Sequence, residues 1–127
     1  MSVIAVAVVV RHGCVLVGRR AENAPEAAGL DEFPGGKVEA GESPASAAAR
    51  ECLEESGIVV RIDGLLHRAS SVATHGPLEI LFYAASALDD REEPLVPFAW
   101  IPITELAGRC FPPANARVVE LLAQGRS

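Results

Sequence analysis

The 127-residue chain is long enough for one domain with a buried core, and we expect a single domain over residues 1–127. Half of its residues are hydrophobic and 22% are charged, which excludes an extended disordered chain. The formal net charge is -6 and the chain has a single lysine, so we expect no nucleic-acid polymer as a partner.

The cysteines and the apolar start of the chain predict its environment. Cys14, Cys52 and Cys110 are odd in number and form no C-x-x-C pair, so they predict neither a disulfide framework nor a zinc site. The apolar run at residues 2–10 is too short to cross a bilayer and lacks the features of a signal peptide. We therefore expect a cytoplasmic protein without a membrane partner, and the sequence leaves open whether it is a monomer or a homodimer.

The first elements in chain order are two strands and a loop. Residues 2–10 form a continuous β-branched run, which predicts a strand covered on both faces. A turn at residues 11–13 and a second run at residues 14–20 complete a predicted hairpin. Residues 21–34 show no clear period, so we expect a loop with a short extended piece at residues 32–34.

A helix follows, with a start and a stop signal. Ser43 is a predicted N-cap and Pro44 occupies the first helical position. We expect the helix to run to about Ser56, because Gly57 is typical of a helix end. The apolar side chains predicted to face the core are those of Ala45, Ala49, Cys52 and Leu53.

Three more strands and a closing helix complete the predicted order β-β-α-β-β-β-α. The strands begin at Ile58, Leu78 and Leu95, and the prolines of the last one predict an edge or irregular strand. A helical turn is predicted at residues 103–108. The closing helix, over residues 114–124, has an apolar stripe of Val118, Leu121 and Leu122. This order predicts an α/β or α+β domain with a mixed sheet covered by helices.

Glutamates crowd one face of the first helix. Glu51, Glu54 and Glu55 lie within roughly 100° of one another around the helix axis. Like charges three or four residues apart cost only about 0.2–0.5 kcal/mol per pair on an exposed helix. Charge alone therefore leaves a solvated acidic face as an alternative to a functional cluster.

The spacing around these glutamates resembles the signature of the Nudix hydrolases. Gly36 is followed by five residues, Glu42, seven residues and the stretch Arg-Glu-Cys-Leu-Glu-Glu-Ser-Gly-Ile at residues 50–58. Cys52 stands where the family usually has a larger aliphatic residue. The resemblance implies a Nudix-type α/β/α sandwich with a central mixed β-sheet. It also implies an enzyme that hydrolyses a nucleoside diphosphate linked to another group.

The resemblance also implies a metal site. It assigns Glu54 and Glu55 as ligands of a divalent metal, Glu51 as a ligand or the general base, and the carbonyl of Gly35 as a further ligand. Carboxylates beside a glycine-rich loop offer the oxygen ligands that suit Mg²⁺, for which Mn²⁺ can substitute.

Three other charged groups complete the implied catalytic set. Glu42 and Arg50 are expected to orient the metal-binding glutamates, and for Arg50 the alternative is a surface ion pair. In many such enzymes a further carboxylate, on a loop outside the signature, takes part in the reaction. The candidates here are Glu92 and Glu93 in the acidic loop at residues 89–94, and the alternative is a solvated loop.

Two stretches resemble the MutT-type branch of the family, which hydrolyses nucleoside triphosphates to monophosphates and pyrophosphate. They are "EFPGGKVEAGESP" at residues 32–44 and "FPPAN" at residues 111–115. In that branch an asparagine placed like Asn115 reads the purine edge of an oxidised guanine nucleotide; its alternative is a helix cap. Asp31 departs from the branch, which more usually has an apolar or aromatic residue there.

Other residues are candidates for contacts with the substrate. Phe33 is expected to wall the base pocket or to belong to the core. Arg19 and Arg20 are expected to reach the phosphates, with a solvated or ion-paired state as the alternative.

The resemblance therefore implies metal-dependent hydrolysis of nucleoside triphosphates to monophosphate and pyrophosphate. Such an enzyme removes oxidised nucleotides such as 8-oxo-dGTP from the nucleotide pool, a function in DNA repair. Hydrolysis of dCTP, CTP or another nucleoside-diphosphate compound such as ADP-ribose is the alternative within enzymes. A module that senses a nucleotide without cleaving it is the alternative outside them.

Overall fold

The computed structural model describes residues 2–25, 28–73 and 76–125. The described residues form one sheet, two α-helices and two short 3₁₀ turns. The strands are β1 (Ser2–Arg11), β2 (Cys14–Arg19), β3 (Asp31–Glu32), β4 (Gly35–Lys37), β5 (Val60–Ala73), β6 (Gly76–Ala87) and β7 (Ala99–Pro102). The helices are α1 (Pro44–Ser56) and α2 (Ala116–Ala123), and the 3₁₀ turns are Ile103–Gly108 and Pro113–Asn115.

The sheet is mixed, as predicted. Its main path runs β3-β2-β1-β6-β5, with β4 also paired to β1 and β7 also paired to β2. Strands β1 and β6 are parallel, whereas the other pairs are antiparallel. Along one edge of β1, Ile4–Val6 pair with β4 and Val10–Arg11 pair with β2. The short strand β4 is therefore held beside the first half of β1.

Strand β1 carries the core on both of its faces. Residues 5–9 are all buried, which confirms the predicted doubly covered strand. Ala5, Ala7 and Val9 pack in the cluster that contains the α1 residues, whereas Val6 and Val8 pack in the cluster that contains the α2 residues. The two helices thus lie on opposite faces of the sheet and give the α/β/α arrangement.

Helix α1 begins and ends where its sequence predicts. The Ser46 amide donates a 3.1 Å hydrogen bond to the Ser43 hydroxyl, and Pro44 occupies the first turn. Gly57 takes a left-handed conformation with φ of 78° and donates its amide to the Leu53 carbonyl.

The buried face of α1 differs from the prediction. Ala47, Ala48, Cys52 and Ser56 are buried, whereas Leu53 is 48% exposed. The small side chains of Ala47 and Ala48 let the helix approach the sheet closely, and this contact sets its rotation. Leu53 lies about 100° further round from Cys52 and so points away from the sheet. The prediction that Leu53 anchors the helix in the core was wrong.

Two other regions differ from their predicted bounds. The predicted loop contains β3 and leads directly into β4, and both strands are too short to show a period in the sequence. The strand predicted from Leu95 begins only at Ala99, after Pro97, whose nitrogen has no hydrogen to donate to a ladder. The stripe on α2 is confirmed for Val118 and Leu122, which are buried. None of the described helices is long and apolar enough to cross a membrane.

Candidate active site

Two consecutive glycines join the sheet to α1. In β4, Gly35 pairs with Val6 and Gly36 pairs with Ala5. A Cβ on Gly35 would lie 2.6 Å from the carbonyl oxygen of Ala5, inside the backbone of β1. A Cβ on Gly36 would lie 2.6 Å from both carboxylate oxygens of Glu51. Only residues without a side chain allow strand and helix to approach this closely, so the glycines bring β1, β4 and the acidic face of α1 together.

Arg50 binds the acidic residues of the motif. Its Nε and Nη2 donate to the two carboxylate oxygens of Glu42 at 2.6 and 2.9 Å, a bidentate pair. Its Nη1 donates to Glu51 at 2.9 Å and to both carboxylate oxygens of Glu54 at 3.3 Å. Its Nη2 also donates to the Lys37 carbonyl at 3.2 Å. The guanidinium therefore offsets much of the repulsion on this helix face and fixes the directions of the carboxylates.

The Arg50 contacts perturb the acidity of Glu42. The hydrogen bonds from Arg50 lower the pKa of Glu42, and the hydrogen bond from the Glu39 amide lowers it further. Glu42 consequently stays ionised and holds the arginine. These contacts agree with the predicted orienting role of the pair, which remains a prediction.

Glu55 is less exposed than Glu54 and contacts strand β4. Its Oε1 accepts a 3.2 Å hydrogen bond from the Gly35 amide. Burial raises the pKa of Glu55 to about 7; the Gly35 amide opposes this shift, and the nearby carboxylates of Glu32 and Glu51 add to it. The raised pKa of Glu55 shows that nearby positive charge does not fully compensate the carboxylates of this cluster.

The donor chemistry of this cluster suits a hard divalent cation. Glu51, Glu54, Glu55 and the Gly35 carbonyl offer oxygen ligands alone. Among the residues that the structure describes, no three His, Cys, Asp or Glu side chains are grouped closely enough to hold a metal ion as they stand. Arg50 contacts both Glu51 and Glu54 instead. The cluster thus fits such a cation by its chemistry, and binding requires the carboxylates to move relative to Arg50.

In metal-free buffer, Glu55 should make the protein less stable as the pH rises. Its pKa of about 7 lies above the ordinary value of 4.5, so its stabilising contribution is complete below pH 4.5 and is lost as the pH rises through 7. We expect Glu55→Gln to remove this slope and to raise the free energy of unfolding at pH 8 by about 1–2 kcal/mol, after allowance for solvent screening. Urea denaturation with EDTA at several pH values measures it.

Glu54→Gln is the matched control for this measurement. The Glu54 side chain is 57% exposed, so this variant should keep the pH dependence of the wild type. A slope between pH 4.5 and 7 that persists unchanged in Glu55→Gln would contradict the assignment of the raised pKa to Glu55.

A cavity of about 650 Å³ opens on the α2 face of the sheet, beside the same two glycines. Its apolar wall comes from β1 and β6, and its other wall comes from β3 and from the segment before α2. The residues that line it are Ile4, Val6, Arg20, Glu32, Phe33, Gly35, Gly36, Ser71, Val72, Leu78, Ile80, Pro112, Pro113, Ala114 and Asn115.

The structure brings two of the predicted base-contacting residues to this cavity. Phe33 is buried and stacks on Phe111, with ring centroids 4.8 Å apart, so it belongs both to the core and to the cavity wall. Asn115 occupies the N-cap position of α2, but its side chain makes no capping hydrogen bond. The residue lines the cavity, and its uncapped side-chain amide has the donors and the acceptor to bind a ligand there.

The two predicted phosphate-binding arginines have different surroundings. Arg20 lines the cavity, and its Nη1 donates to Glu32 Oε1 at 3.2 Å. Arg19 is exposed and does not line the cavity, because successive residues at the end of β2 point to opposite sides. The structure therefore places Arg20, and not Arg19, beside the candidate site.

Glu32 is a site residue that the sequence reasoning missed. Burial raises its pKa, and the charge and hydrogen bond of Arg20 oppose the shift. Glu32 lines the cavity and its charge raises the pKa of Glu55, so it acts on both the cavity and the acidic cluster. Its only signal in the sequence is its place just before Phe33 and the glycine pair.

The loop carboxylate Glu93 lies elsewhere. Its carboxylate is 80% exposed and lies 3.7 Å from Arg11 Nη2. The Arg11 guanidinium also covers the Trp100 ring at 4.0 Å and donates to the Glu92 carbonyl at 2.9 Å. Arg11 ends β1 roughly 16 Å along the strand from the residues that pair with β4. The structure thus ties this loop to the far end of β1, and a part for Glu93 in the reaction stays a prediction.

Glu93→Gln tests that part directly. Because the carboxylate contacts Arg11 and is largely exposed, we expect the variant to keep kcat within about twofold of the wild type. Steady-state hydrolysis of a nucleoside triphosphate is the measurement. A loss of kcat by tenfold or more, with the fold intact, would instead bring Glu93 into the reaction.

The chain belongs to the NUDIX domain family, because the sequence profile of that family matches residues 1–122. It is 33% identical over 110 residues to the 8-oxo-dGTP diphosphatase of Escherichia coli K12, covering 85% of this chain and 84% of the relative. It is 35% identical over 98 residues to the 8-oxo-dGTP diphosphatase of Haemophilus influenzae, covering 72% and 68%. The crystal structure of a MutT NUDIX hydrolase from Burkholderia pseudomallei superposes with a TM-score of 0.79 at 30% identity, covering 94% of this chain and 95% of that one.

These comparisons confirm the family that the glutamate motif predicts. They also confirm the mixed α+β Nudix fold and the expectation of a hydrolase that acts on diphosphate bonds. Hydrolases of this family generally need a divalent metal, and the named relatives act on a small-molecule nucleotide.

Proposed function

We propose that the chain is a Mg²⁺-dependent nucleoside triphosphate pyrophosphohydrolase that prefers an oxidised guanine nucleotide such as 8-oxo-dGTP. Its products are the nucleoside monophosphate and pyrophosphate. The observation that carries this proposal is that the acidic cluster of α1 and the 650 Å³ cavity meet at Gly35 and Gly36. One molecule can therefore place its phosphates against the cluster and its base in the cavity.

The cavity has the size and lining of a nucleoside site. Its volume lies within the range of about 300–1,000 Å³ that is typical of small-molecule sites. Ile4, Leu78 and Ile80 offer an apolar surface to the base, and Phe33 lies on another wall. The Asn115 amide can donate and accept hydrogen bonds at once, which suits the edge of a purine.

The acidic cluster supplies the groups for hydrolysis. A divalent cation, when bound, neutralises phosphate charge and lowers the pKa of the attacking water. We propose that Glu54, Glu55 and the Gly35 carbonyl hold it, with Glu51 as a further ligand or as the general base. Their hard oxygen donors favour Mg²⁺, with Mn²⁺ able to substitute. Arg50 directs Glu51 and Glu54 through its hydrogen bonds.

Side chains of the protein accept the proton of the attacking water and bind the phosphates. Glu51 is only 17% exposed and is fixed by Arg50, so it can take the proton of the attacking water as a general base. Arg20 lies in the cavity wall, where its guanidinium can contact the phosphates of the nucleotide.

The wider setting of the enzyme is also proposed. Residues 1–127 act as one domain in the cytoplasm, on a small-molecule nucleotide, as a monomer or a homodimer. The net charge of -6 supports the absence of a nucleic-acid polymer as a partner, and we propose no membrane partner.

Asn115→Ala tests the base site. Loss of the amide removes hydrogen bonds to the base edge, so the ratio of kcat/KM for 8-oxo-dGTP to that for dGTP should fall by about tenfold or more. Gln124→Ala is the matched control, because it removes an exposed amide at the other end of α2 and should leave the ratio unchanged. An unchanged ratio in Asn115→Ala would remove the residue from base recognition.

A further inference from the structure

A buried aspartate ties the segment before α2 to strand β3. Asp31 is 6% exposed, and its Oδ2 accepts a 3.0 Å hydrogen bond from the Cys110 amide. Its Oδ1 accepts a 3.2 Å hydrogen bond from Arg109 Nη1. The Asp31 amide in turn donates to the Cys110 carbonyl at 2.9 Å. Two backbone groups of Cys110 and the side chain of Arg109 are thus engaged in a single clamp on Asp31.

The clamp fixes one end of the segment that carries Asn115. Phe111 follows directly and stacks on Phe33. Pro112 and Pro113 then restrict the backbone, and the backbone N–H of Asn115 donates to the Pro112 carbonyl at 2.9 Å. At the other end, the buried Val118 holds α2 against the sheet. A short segment that is stiff and held at both ends has little freedom in the direction of its side chains.

We propose that Asp31 is a positioning residue for base selectivity. It holds the side-chain amide of Asn115 at the cavity, so that the enzyme discriminates between purine nucleotides. This inference rests on the proposed function. Asp31 does not line the cavity and so acts through Asn115. An apolar residue at this position would keep the backbone bond to Cys110 but lose both side-chain bonds.

The Asp31 side chain makes its bonds away from the carboxylates proposed to hold the metal. Arg50, Glu51 and Glu54 are held to one another on α1, and the Asp31 side chain bonds to Arg109 and Cys110. Loss of the Asp31 carboxylate should therefore raise KM and reduce selectivity while kcat changes little. A residue that merely stabilised the fold would show no such separation.

The experiment uses Asp31→Leu and Asp31→Asn, each in the wild-type and the Asn115→Ala background. Leucine removes both acceptors, whereas asparagine keeps one for the Cys110 amide and loses the charge on which Arg109 depends. The hydrogen-exchange rate of the backbone N–H of Asn115, measured in the free protein, reports how firmly the clamp holds this segment. Values of kcat and KM for 8-oxo-dGTP and dGTP report selectivity.

With Asp31→Leu, we expect exchange at Asn115 to quicken by about tenfold, selectivity to fall by about fivefold or more, and kcat to stay within about threefold. Asp31→Asn should give intermediate values. In the Asn115→Ala background, neither substitution at Asp31 should lower selectivity further, because coupled residues give non-additive effects.

Three results would overturn the proposal. The first is a wild type that discriminates and an Asp31→Leu variant with the same selectivity. The second is an equal loss of selectivity in both backgrounds. If Asp31→Leu does not fold, Asp31→Asn replaces it in the test. The third overturning result is then an Asp31→Asn variant whose exchange rate and selectivity both equal those of the wild type.

The proposed function can fail separately. If the wild type hydrolyses neither nucleotide, that function is rejected, and the exchange measurement alone judges the clamp. Faster exchange at Asn115 in Asp31→Leu then supports the positioning role, and an unchanged rate overturns it.

Discussion

Glu55→Gln should lower kcat for nucleoside triphosphate hydrolysis by about 100-fold or more while the protein stays folded. Glutamine keeps the size of the side chain and an oxygen that accepts from the Gly35 amide. It cannot carry the negative charge that a divalent cation requires. Steady-state pyrophosphate release gives kcat, and thermal unfolding followed by circular dichroism shows that the fold is retained.

Glu120→Gln on α2 is the control for this prediction. Glu120 is an exposed carboxylate paired with Arg117, away from the glycine pair, and its loss should leave kcat unchanged. Glu54→Gln should share the loss of activity, because Glu54 is the other member of the implied ligand pair. Turnover of a folded Glu55→Gln variant within about threefold of the wild type would reject Glu55 as a ligand.

Gly36→Ala should separate activity from stability. The new Cβ would lie 2.6 Å from the carboxylate oxygens of Glu51 and would push that carboxylate from its place. The clash meets the far end of a flexible side chain, so the fold should lose little stability. Displacement of Glu51, the proposed ligand or base, should lower kcat by about 100-fold. Kinetics and thermal unfolding of the same preparation measure both effects.

Two other glycines provide the comparison. A Cβ on Gly64 of β5 would meet nothing within 4 Å, so Gly64→Ala should leave kcat unchanged. A Cβ on Gly35 would meet the β1 backbone at Ala5 and Val6, so Gly35→Ala should also reduce stability. Wild-type kcat in Gly36→Ala would mean that the position of Glu51 beside Gly36 is not needed for the reaction.

Local signals predicted much of the fold. Strand β1 was predicted from its β-branched run, and the ends of α1 were predicted from Ser43 and Gly57. These signals depend only on residues close together in the sequence, and the structure has both elements as predicted. The rotation of α1 depends on packing against β1, a contact that spacing along one helix does not reveal. For that reason the core prediction failed at Leu53.

The candidate site divides in the same way. The contacts of Arg50 with Glu51 and Glu54 lie within one helical turn, so the sequence motif already contains them. The Glu32 carboxylate and the Asp31 clamp depend on tertiary contacts. Asp31 and Cys110 are 79 residues apart in the sequence, and no spacing rule brings them together.

The central claim is that the acidic cluster and the neighbouring cavity together hydrolyse a nucleoside triphosphate between its α- and β-phosphates. Product analysis by phosphorus NMR, over a panel of canonical triphosphates and 8-oxo-dGTP with Mg²⁺, tests it most directly. We expect equal amounts of monophosphate and pyrophosphate, fastest from 8-oxo-dGTP, with turnover lost in EDTA and restored by Mg²⁺. Absence of hydrolysis across the panel, or release of orthophosphate with a nucleoside diphosphate, would contradict the account.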